Sequence, residues 1–485
     1  MGSRRSHVRT SMPTGGEGFD PRAKPPPVRD IQSSEVVNMT TRIVVLGGGF
    51  GGLHTAIHLE KLLGADPDVQ ITLVSHDNFF LFTPMLHEVA AGDLDITHIV
   101  SPIRTLLRRT AVFVGDVESI DLDDRRVHVA HGFDRHGHEL AFDHLVVALG
   151  SITNFYGLPG LEQRALTMKT LGDAIHLRNR VIATLEEAGT ECQGEDGGLL
   201  TFVVAGGGFA GVETIAGLND FVRDGLKFFP RIRPERVRMV LVHSGPVILP
   251  ELGEKLGAYT QRKLRERGIE ILTNARVAGI SDAGVRLADG TSIPSRLVVW
   301  TAGTSPHPLI HELPCQLDRG RIVVDETLAV PNRPGIWALG DCAVVPDSRT
   351  GKAHPPTAQH ALREARTVAR NIAGTLRGRP PVRFTFRTIG QLAAIGHRTG
   401  VARLFGVNFS GFVAWWLWRT IYLSKLPRIE KKIRVAIDWT LDLFFAKDFV
   451  QFLTVRAPVM SMETPAASHV AASHQPQAEP AVEMR

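Results

Sequence analysis

Cysteine and long apolar runs are scarce in this 485-residue chain, and each shortage excludes a class of protein. The three cysteines, Cys192, Cys315 and Cys342, lie far apart and form no pair with the spacing of a zinc site or a redox motif. We therefore expect no metal site and no disulfide framework, and a reducing cytosol fits. The apolar segment 409–423 is interrupted by Arg419 and is shorter than the ~20 residues that a membrane-spanning helix needs.

The chain also lacks a large excess of positive or negative charge. The formal net charge is +5, which favours an anionic surface or cofactor but does not identify nucleic acid as a partner, and we see no nucleic-acid-binding motif. The 43% hydrophobic and 22% charged content is typical of a soluble globular protein. Only the terminal segments 1–40 and 458–485, rich in proline and small polar residues, are predicted to be disordered.

Glycine, in contrast, is placed with a clear pattern near the start. A β-branched run at residues 41–46 leads directly into Gly47-x-Gly49-x-x-Gly52, and a stretch with helical periodicity follows. In this setting the glycines permit a tight turn, approach of the backbone to a pyrophosphate, and close helix–strand packing. The following helix would present free N–H groups to the phosphates. The motif predicts a dinucleotide site; a glycine-rich turn without a ligand is the alternative.

The same pattern occurs a second time as Gly206-x-Gly208-x-x-Gly211, again between a strand-like and a helix-like segment. The copies are too far apart to be units of a solenoid, so each should nucleate its own Rossmann-like unit. Two units can hold two dinucleotides, and the simplest pair is a flavin and a nicotinamide. The predicted fold class is α/β, with two Rossmann-like domains for FAD and NAD(P) and a C-terminal amphipathic helical region.

A late strand-like segment, residues 335–341, ends in Gly340-Asp341. Here the chain resembles the two-dinucleotide flavoproteins, in which such an aspartate contacts the flavin ribityl chain. The resemblance implies that Asp341 binds FAD; the alternative is an aspartate that caps the next turn. Strands ending at Gly150 and near Gly303 match the same superfamily and should mark the crossings between the two domains.

The segment after the first βαβ unit, HDNFFLFTPMLHEVAAGDL, has no cysteine, which argues against thiol–disulfide chemistry beside a flavin. Its string NFFLFTPMLHEVAAG instead resembles the type II NADH dehydrogenases, the single-subunit, non-pumping NADH:quinone oxidoreductases. The resemblance extends from about Arg42 to about Leu453, through VVWTAGTSP, PPTAQHALREARTVARNI, IGQLAAIGHRTGVA and GFVAWWLWRTIYL.

This resemblance implies a flavoenzyme that transfers a hydride from NADH, with NADPH also possible, to FAD and then two electrons to a quinone. It implies Glu213 and Gln359 as catalytic residues, although Glu213 could equally be a carboxylate stabilised by the helix dipole. The quinone contacts would be Ala358, Gln359 and Arg363. The implied FAD contacts are Gly47, Gly49, Phe50, Gly51, Gly52, Ser75, Thr83, Pro84, Val117, Gly150, Asp341 and Ala358, and the implied NAD(P)H contacts are Gly206, Gly208, Phe209, Ala210, Gly211, Glu213, His243 and Gly303.

Three positions depart from the family pattern. Ser75 stands where an acid usually contacts the flavin ribose, and His243 stands where an acid usually contacts the NADH ribose. The missing acid at His243 leaves the choice between NADH and NADPH open. Arg363 replaces a second glutamine, which leaves a non-quinone acceptor or a redox sensor with little turnover as alternatives.

The C-terminal region is predicted to form two helices. Trp415, Trp416, Trp418 and Tyr422 are of the types enriched at membrane interfaces. Ile429, Ile433, Ile437, Leu441 and Phe444 recur at helical spacing, with basic residues mainly elsewhere. The pattern alone favours a core or dimer-interface helix, whereas the family resemblance implies docking on the cytoplasmic face of the membrane. A homodimer remains possible.

These features predict six segments: a disordered segment 1–40, a first FAD part 41–165, an NAD(P) domain 166–303, a second FAD part 304–397, a membrane-associating region 398–457 and a disordered tail 458–485.

Overall fold

A computed structural model describes residues 40–190 and 198–452. The predicted disordered segments, apart from residue 40, and also Cys192 lie outside the described residues. The described chain is a mixed α/β structure, which confirms the predicted fold class.

The first parallel sheet carries the first glycine loop. Its five strands lie in the order Ile336–Ala338, His144–Val147, Thr41–Leu46, Val69–Ser75 and Ala111–Val114. The β-branched residues of the central strand are buried on both faces, as expected where helices cover a parallel sheet. Helix Phe50–Leu63 follows the loop and packs against helix Ala358–Thr375.

The second parallel sheet repeats this arrangement around the second loop. Its strands lie in the order Ile269–Leu272, Arg238–Val242, Thr201–Ala205 and Leu297–Trp300. Helix Phe209–Gly225 follows the loop. Two further helices of this part of the chain are Leu171–Thr190 and Glu254–Glu266.

A two-stranded antiparallel ribbon joins the two sheets. It pairs Ser151–Thr153, just after Gly150, with Thr304–Pro306, just after Gly303. Gly150 and Gly303 therefore each precede one strand of the ribbon. The domain boundaries given above remain predictions.

Short sheets and helices fill the remaining connections. The small sheets comprise Phe79–Leu81 with Val100–Pro102; Asp116–Asp121, Arg126–His131 and His136–Ala141; Val277–Ser281, Gly284–Leu287 and Ser292–Ile293; Leu317–Asp318, Arg321–Val323 and Ala343–Val344; and Pro346–Asp347 with Lys352–Ala353. The short α-helices are Leu86–Ala90, Ile103–Leu106 and Leu161–Arg164.

The C-terminal region forms a three-stranded antiparallel sheet, Gly390–Ala394, Gly400–Leu404 and Val407–Gly411. Helices Phe412–Lys425 and Ile429–Leu441 follow, so the start of the apolar segment 409–423 is a strand rather than a helix. In the described part of the chain, no helix is both long and apolar enough to cross a membrane.

The aromatic residues expected at an interface do not all face outward. Trp416 is exposed, but Trp418 is completely buried and Tyr422 packs edge-on against its ring. The isoleucine stripe does face outward, because helix Ile429–Leu441 turns Val435 and Trp439 inward instead. The interpretation of this stripe as part of the hydrophobic core is therefore wrong, because its side chains are exposed in the described part of the chain.

Candidate functional site

The first glycine loop is shaped by backbone contacts that exclude side chains. Gly47 has φ +105°, and a Cβ there would lie 2.3 Å from the carbonyl oxygen of Ala148. A Cβ on Gly52 would lie 1.9 Å from the carbonyl oxygen of Gly47, so the helix approaches the strand more closely than any side chain allows. A Cβ on Gly49 would meet nothing within 4 Å. Open space thus lies beside a helix N-terminus that no side chain caps.

The second loop repeats these contacts. Gly206 has φ +123°, and a Cβ on Gly211 would lie 1.8 Å from the carbonyl oxygen of Gly206. Gly208 faces open space within 4 Å, and helix Phe209–Gly225 also begins without a side-chain cap. Phe50 and Phe209 open the two helices at equivalent positions, followed by Gly51 and Ala210.

Polar groups gather where the strands of the first sheet end. Asp341 lies in a turn after strand Ile336–Ala338, and its carboxylate accepts a hydrogen bond of 2.8 Å from the Ser151 hydroxyl. The Lys169 ammonium donates to the same hydroxyl at 2.9 Å. Glu364 accepts from the Gly340 N–H at 2.8 Å and so fixes the turn that presents Asp341. Carboxyl ends of parallel strands are where such sheets bind ligands.

Thr83, Pro84, Ala358, Gly150 and Val117, which are also implied for FAD, occupy four places. Thr83 and Pro84 form a short 3₁₀ turn, and Ala358 opens helix Ala358–Thr375, which no side chain caps. Gly150, with φ +69°, faces open space after its strand. Val117 lies on Asp116–Asp121, in a separate antiparallel sheet.

Ser75 and His243 occupy corresponding places beneath the two loops. The Ser75 hydroxyl donates to the Asp77 carbonyl at 2.7 Å, and a Cβ on Gly48 would lie 2.1 Å from that hydroxyl oxygen. The His243 Nδ1 accepts from the Gly207 N–H at 3.2 Å. His243 therefore hydrogen-bonds its loop, whereas Ser75 packs beneath Gly48 and hydrogen-bonds the turn after its own strand. Near the other end of the second site, a Cβ on Gly303 would lie 2.5 Å from the Tyr156 hydroxyl, so this ring covers Gly303.

Gln359 and Arg363 contact the protein itself. The Gln359 amide donates to the Gly390 carbonyl at 3.1 Å and accepts from the Ile389 N–H at 3.3 Å. The Arg363 guanidinium donates to the Gln359 carbonyl at 2.8 Å and stacks over the Phe386 ring at 4.2 Å. These contacts bind helix Ala358–Thr375 to the C-terminal sheet.

Glu213 lies where three parts of the chain meet. Its Oε1 accepts from the Ala394 N–H and from the Trp418 Nε1–H, each at 3.1 Å, and its Oε2 is 3.8 Å from His87 Nδ1. Burial raises the pKa of Glu213 to about 8, despite both hydrogen bonds. Glu213 lies in the second turn of its helix, and groups of the C-terminal region donate hydrogen bonds to its side chain. Stabilisation by the helix dipole alone does not explain these hydrogen bonds.

Sequence reasoning missed Glu88, on the short helix Leu86–Ala90. Its side chain is buried, and Oε2 accepts from the Trp439 Nε1–H at 3.1 Å. The only local signal is an acidic residue among apolar ones. Its partner is 351 positions away, so no local pattern identifies the contact.

The two loops fit the diphosphate bridges of two dinucleotides. Each combines open space at the middle glycine with an uncapped helix N-terminus, and the first turn of each of these described helices contains no acidic residue. The first loop also has Asp341 and the Ser151 hydroxyl at the same sheet edge, where a ribityl chain offers hydroxyl partners. The residues present therefore suit FAD at the first loop and a nicotinamide dinucleotide at the second.

Comparison with known proteins agrees with this geometry. The profile of the pyridine nucleotide-disulphide oxidoreductases matches residues 41–365, and the NDH2 C-terminal domain matches residues 389–448. Fold and site thus define an oxidoreductase with two dinucleotide sites.

Individual relatives narrow the class. The chain is 33% identical to the type II NADH:quinone oxidoreductase Ndh of Mycobacterium tuberculosis, covering 82% of this chain and 87% of that protein. It is 34% identical to the demethylphylloquinone reductase NdbB of Synechocystis, covering 82% and 95%. The structure of NDH2 from Plasmodium falciparum in complex with NADH matches with a TM-score of 0.78 at 20% identity, covering 85% of this chain and all of that one. The chain belongs to the type II NADH:quinone oxidoreductase family, whose cofactors are FAD and NADH.

The glycine contacts predict two different losses. Gly49→Val should fold normally, because the space around Gly49 is open, but should purify without flavin, because the side chain fills the place of the pyrophosphate. Gly52→Ala should lower the free energy of unfolding by about 1–3 kcal/mol, as overpacking does. Flavin absorbance and thermal unfolding of the apoprotein measure both. A yellow Gly49→Val protein would refute the assignment of the first loop.

The raised pKa of Glu213 predicts a pH-dependent gain in stability for Glu213→Gln. The folded protein retains a proton that the unfolded chain loses above pH 4.5, so this group lowers wild-type stability progressively from about pH 5 to about pH 8. The glutamine keeps an acceptor oxygen for Ala394 and Trp418 but cannot ionise. Its thermal midpoint should therefore rise relative to wild type over that range, and a constant difference would contradict the shift.

Proposed function

We propose that this chain is a membrane-peripheral oxidoreductase. It oxidises NADH, which binds at the second glycine loop, and it reduces a quinone with the electrons that are held at the first glycine loop. The observation that carries the proposal is the pair of open glycines, Gly49 and Gly208, each at an uncapped helix N-terminus in its own parallel sheet. Two dinucleotides on one chain require such a pair of sites. The reaction is inferred from the family to which the chain belongs.

The residues of the first site bind and orient rather than react. Gly47, Gly49 and Gly52 would hold the pyrophosphate, and Asp341, oriented by Ser151, would accept a hydrogen bond from a ribityl hydroxyl. Bound at this site, FAD would supply the redox chemistry, which is to take a hydride from NADH and to pass electrons to an acceptor. Ala358 opens a helix whose free N–H groups favour negative charge at that end.

Gln359 and Arg363 are proposed to lie at the acceptor site. Their main role there would be to position the helix that forms one wall of the site. Their contacts with the Gly390 carbonyl and the Phe386 ring fix helix Ala358–Thr375 against the C-terminal sheet. Glu213 is proposed to deliver a proton, because its carboxyl is buried and remains protonated at neutral pH.

The acceptor is proposed to arrive from a membrane. We define the docking surface as the stripe Ile429, Ile433, Ile437, Leu441 and Phe444, whose side chains are about half or more exposed. Phe412, Val413 and Trp416 on the preceding helix are also exposed. Basic residues including Lys425, Lys432 and Arg434 occur along the same segment, and an apolar face accompanied by basic residues suits an interface with anionic lipid. The cytoplasmic face of the cell membrane and the absence of proton pumping belong to this proposal.

The two half-reactions test the proposal directly. Under anaerobic conditions NADH should bleach the flavin absorbance rapidly, and a menaquinone or ubiquinone analogue should restore it. NADPH should bleach more slowly, because His243-Ser244-Gly245 offers no arginine to bind a 2′-phosphate. Stopped-flow absorbance measures each step.

Other outcomes identify the alternatives. Bleaching by NADH without reoxidation by quinone, but with reoxidation by a soluble dye, would indicate a soluble reductase. Slow bleaching by both nucleotides would indicate a redox sensor. Rapid bleaching by NADPH alone would mean that the position of His243 defines a different donor site.

The docking surface predicts loss of membrane binding in Ile433→Glu/Ile437→Glu. Each buried isoleucine contributes about 1.5–3 kcal/mol to transfer from water, so two charges in their place should reduce partitioning by more than tenfold. Co-sedimentation with liposomes containing anionic lipid measures the effect.

A matched control is Phe133→Glu, at the exposed hairpin between strands Arg126–His131 and His136–Ala141. It should bind liposomes like wild type. Unchanged sedimentation of the double variant would refute the docking surface, and a wild-type dimer that this variant dissociates would show that a second copy covers it.

A further inference from the structure

A second buried carboxylic acid, Glu88, lies on helix Leu86–Ala90, which packs against the helix that carries Glu213. The Glu88 side chain is 6% exposed, and its Oε2 accepts from the Trp439 indole at 3.1 Å. Glu213 is bound in the same way by Trp418, so each C-terminal helix donates one indole N–H to one buried glutamate. An indole is a neutral donor and does not compensate for a buried carboxylate charge. Both sites therefore favour a protonated carboxyl.

His87 approaches Glu213 and is the sequence neighbour of Glu88. It immediately precedes Glu88 on helix Leu86–Ala90, its Nδ1 is 3.8 Å from Glu213 Oε2, and its ring lies edge-on to Trp418 at 5.5 Å. Burial lowers the pKa of His87 to about 3, so the ring is neutral. A neutral imidazole has one donor and one acceptor nitrogen and can take a proton on one while it gives one from the other.

Charged groups continue from Glu88 toward the surface. Burial, reinforced by Asp93, raises the pKa of Glu88 to about 8, against the opposing effects of Arg419, Trp439 and Lys447. Lys447 contacts Asp93 at 2.5 Å, and the Arg419 guanidinium stacks between the rings of Trp415 and Trp439. Burial and Asp93 also raise the pKa of Asp442, which is partly exposed.

We propose that Glu88 is a proton-relay residue, which resupplies Glu213 through His87 and is itself resupplied from the side of Asp93 and Asp442. This inference rests on the proposed function. It differs from that function by assigning the route along which the proton enters: through the junction with the C-terminal helices.

The proton balance is simple. Reduction of a quinone to a quinol takes two electrons and two protons, and the hydride of NADH accounts for both electrons and one proton. For the second proton, the O–H bond of Glu213 breaks and an O–H bond of the quinol forms. The Glu213 carboxylate then takes the Nδ1 proton of His87, the other ring nitrogen takes the carboxyl proton of Glu88, and the Glu88 carboxylate takes a proton from solvent.

Glu88→Gln separates the relay from a structural role. The glutamine oxygen can still accept from Trp439, so flavin content, flavin reduction by NADH and KM for NADH should match wild type. The thermal midpoint should match below pH 4.5, where Glu88 is protonated in both the folded and the unfolded state. The kcat with quinone should fall about tenfold or more, with a larger solvent deuterium isotope effect, because proton delivery becomes limiting. Glu88→Asp should restore part of kcat.

Trp439→Phe is the matched control. It removes the hydrogen bond but keeps the carboxyl, so it should lower the thermal midpoint while the isotope effect stays that of wild type. Wild-type kcat and isotope effect in Glu88→Gln would overturn the relay and leave Glu88 as the acceptor for Trp439.

A measurement without turnover keeps the two proposals distinguishable. The infrared spectrum of the oxidised wild-type holoenzyme at neutral pH should contain carboxylic acid C=O bands, one of which is lost in Glu88→Gln and another in Glu213→Gln. Absence of the Glu88 band would overturn the relay. A wild-type protein that shows both bands but never reduces quinone would instead refute the proposed function, and with it the relay.

Discussion

Both nucleotide sites depend on one steric constraint, which is that a helix crosses the strand before it with no space for a side chain. The constraint acts at Gly52 against the Gly47 carbonyl and at Gly211 against the Gly206 carbonyl. Because the helix is brought so close, its first N–H groups point into the space beside the middle glycine. The ends of the neighbouring strands lie at the same edge, which is why Asp341 and Ser151 meet there although they are 190 positions apart.

The C-terminal region covers the interior of the protein and also contributes hydrogen-bond donors to a buried residue there. Glu213, on the helix of the second loop, is bound by the Ala394 N–H and the Trp418 indole, both from the C-terminal region. A buried carboxyl without such donors is costly, so the second loop and the C-terminal helices stabilise each other. The two indole–glutamate contacts also explain why Trp418 and Trp439 face inward while the isoleucines face out.

Local patterns in the sequence predicted those features of the fold that depend on neighbouring residues. The glycine loops and the Gly340-Asp341 turn each depend on a few consecutive residues, and the family assignment is confirmed. Periodicity placed the residues beginning at Ile429 on one stripe, but it favoured a buried face for them, and the structure shows an exposed one. The inward turn of Trp418 was not predicted, because its partner lies 205 positions away. Composition suggested an interface residue, and only packing decides which face of a helix an aromatic ring occupies.

The same limit applies to Gln359 and Glu88. Family resemblance implied a role for Gln359 at the acceptor, but not that its amide binds the backbone of residues 389 and 390. Glu88 lies within a string that identified the family, yet nothing nearby indicates burial beside a second acid. The individual site residues and domain boundaries remain predictions for the experiments above.

The ribbon between the two sheets has a mechanical consequence. The chain crosses from one sheet to the other at Ser151–Thr153 and returns at Thr304–Pro306, and these two crossings are hydrogen-bonded to each other. Neither crossing can therefore shift relative to the other without breaking the backbone hydrogen bonds between them. A substitution that disturbs one crossing strand should consequently disturb the other, so the two connections between the sheets act as one unit.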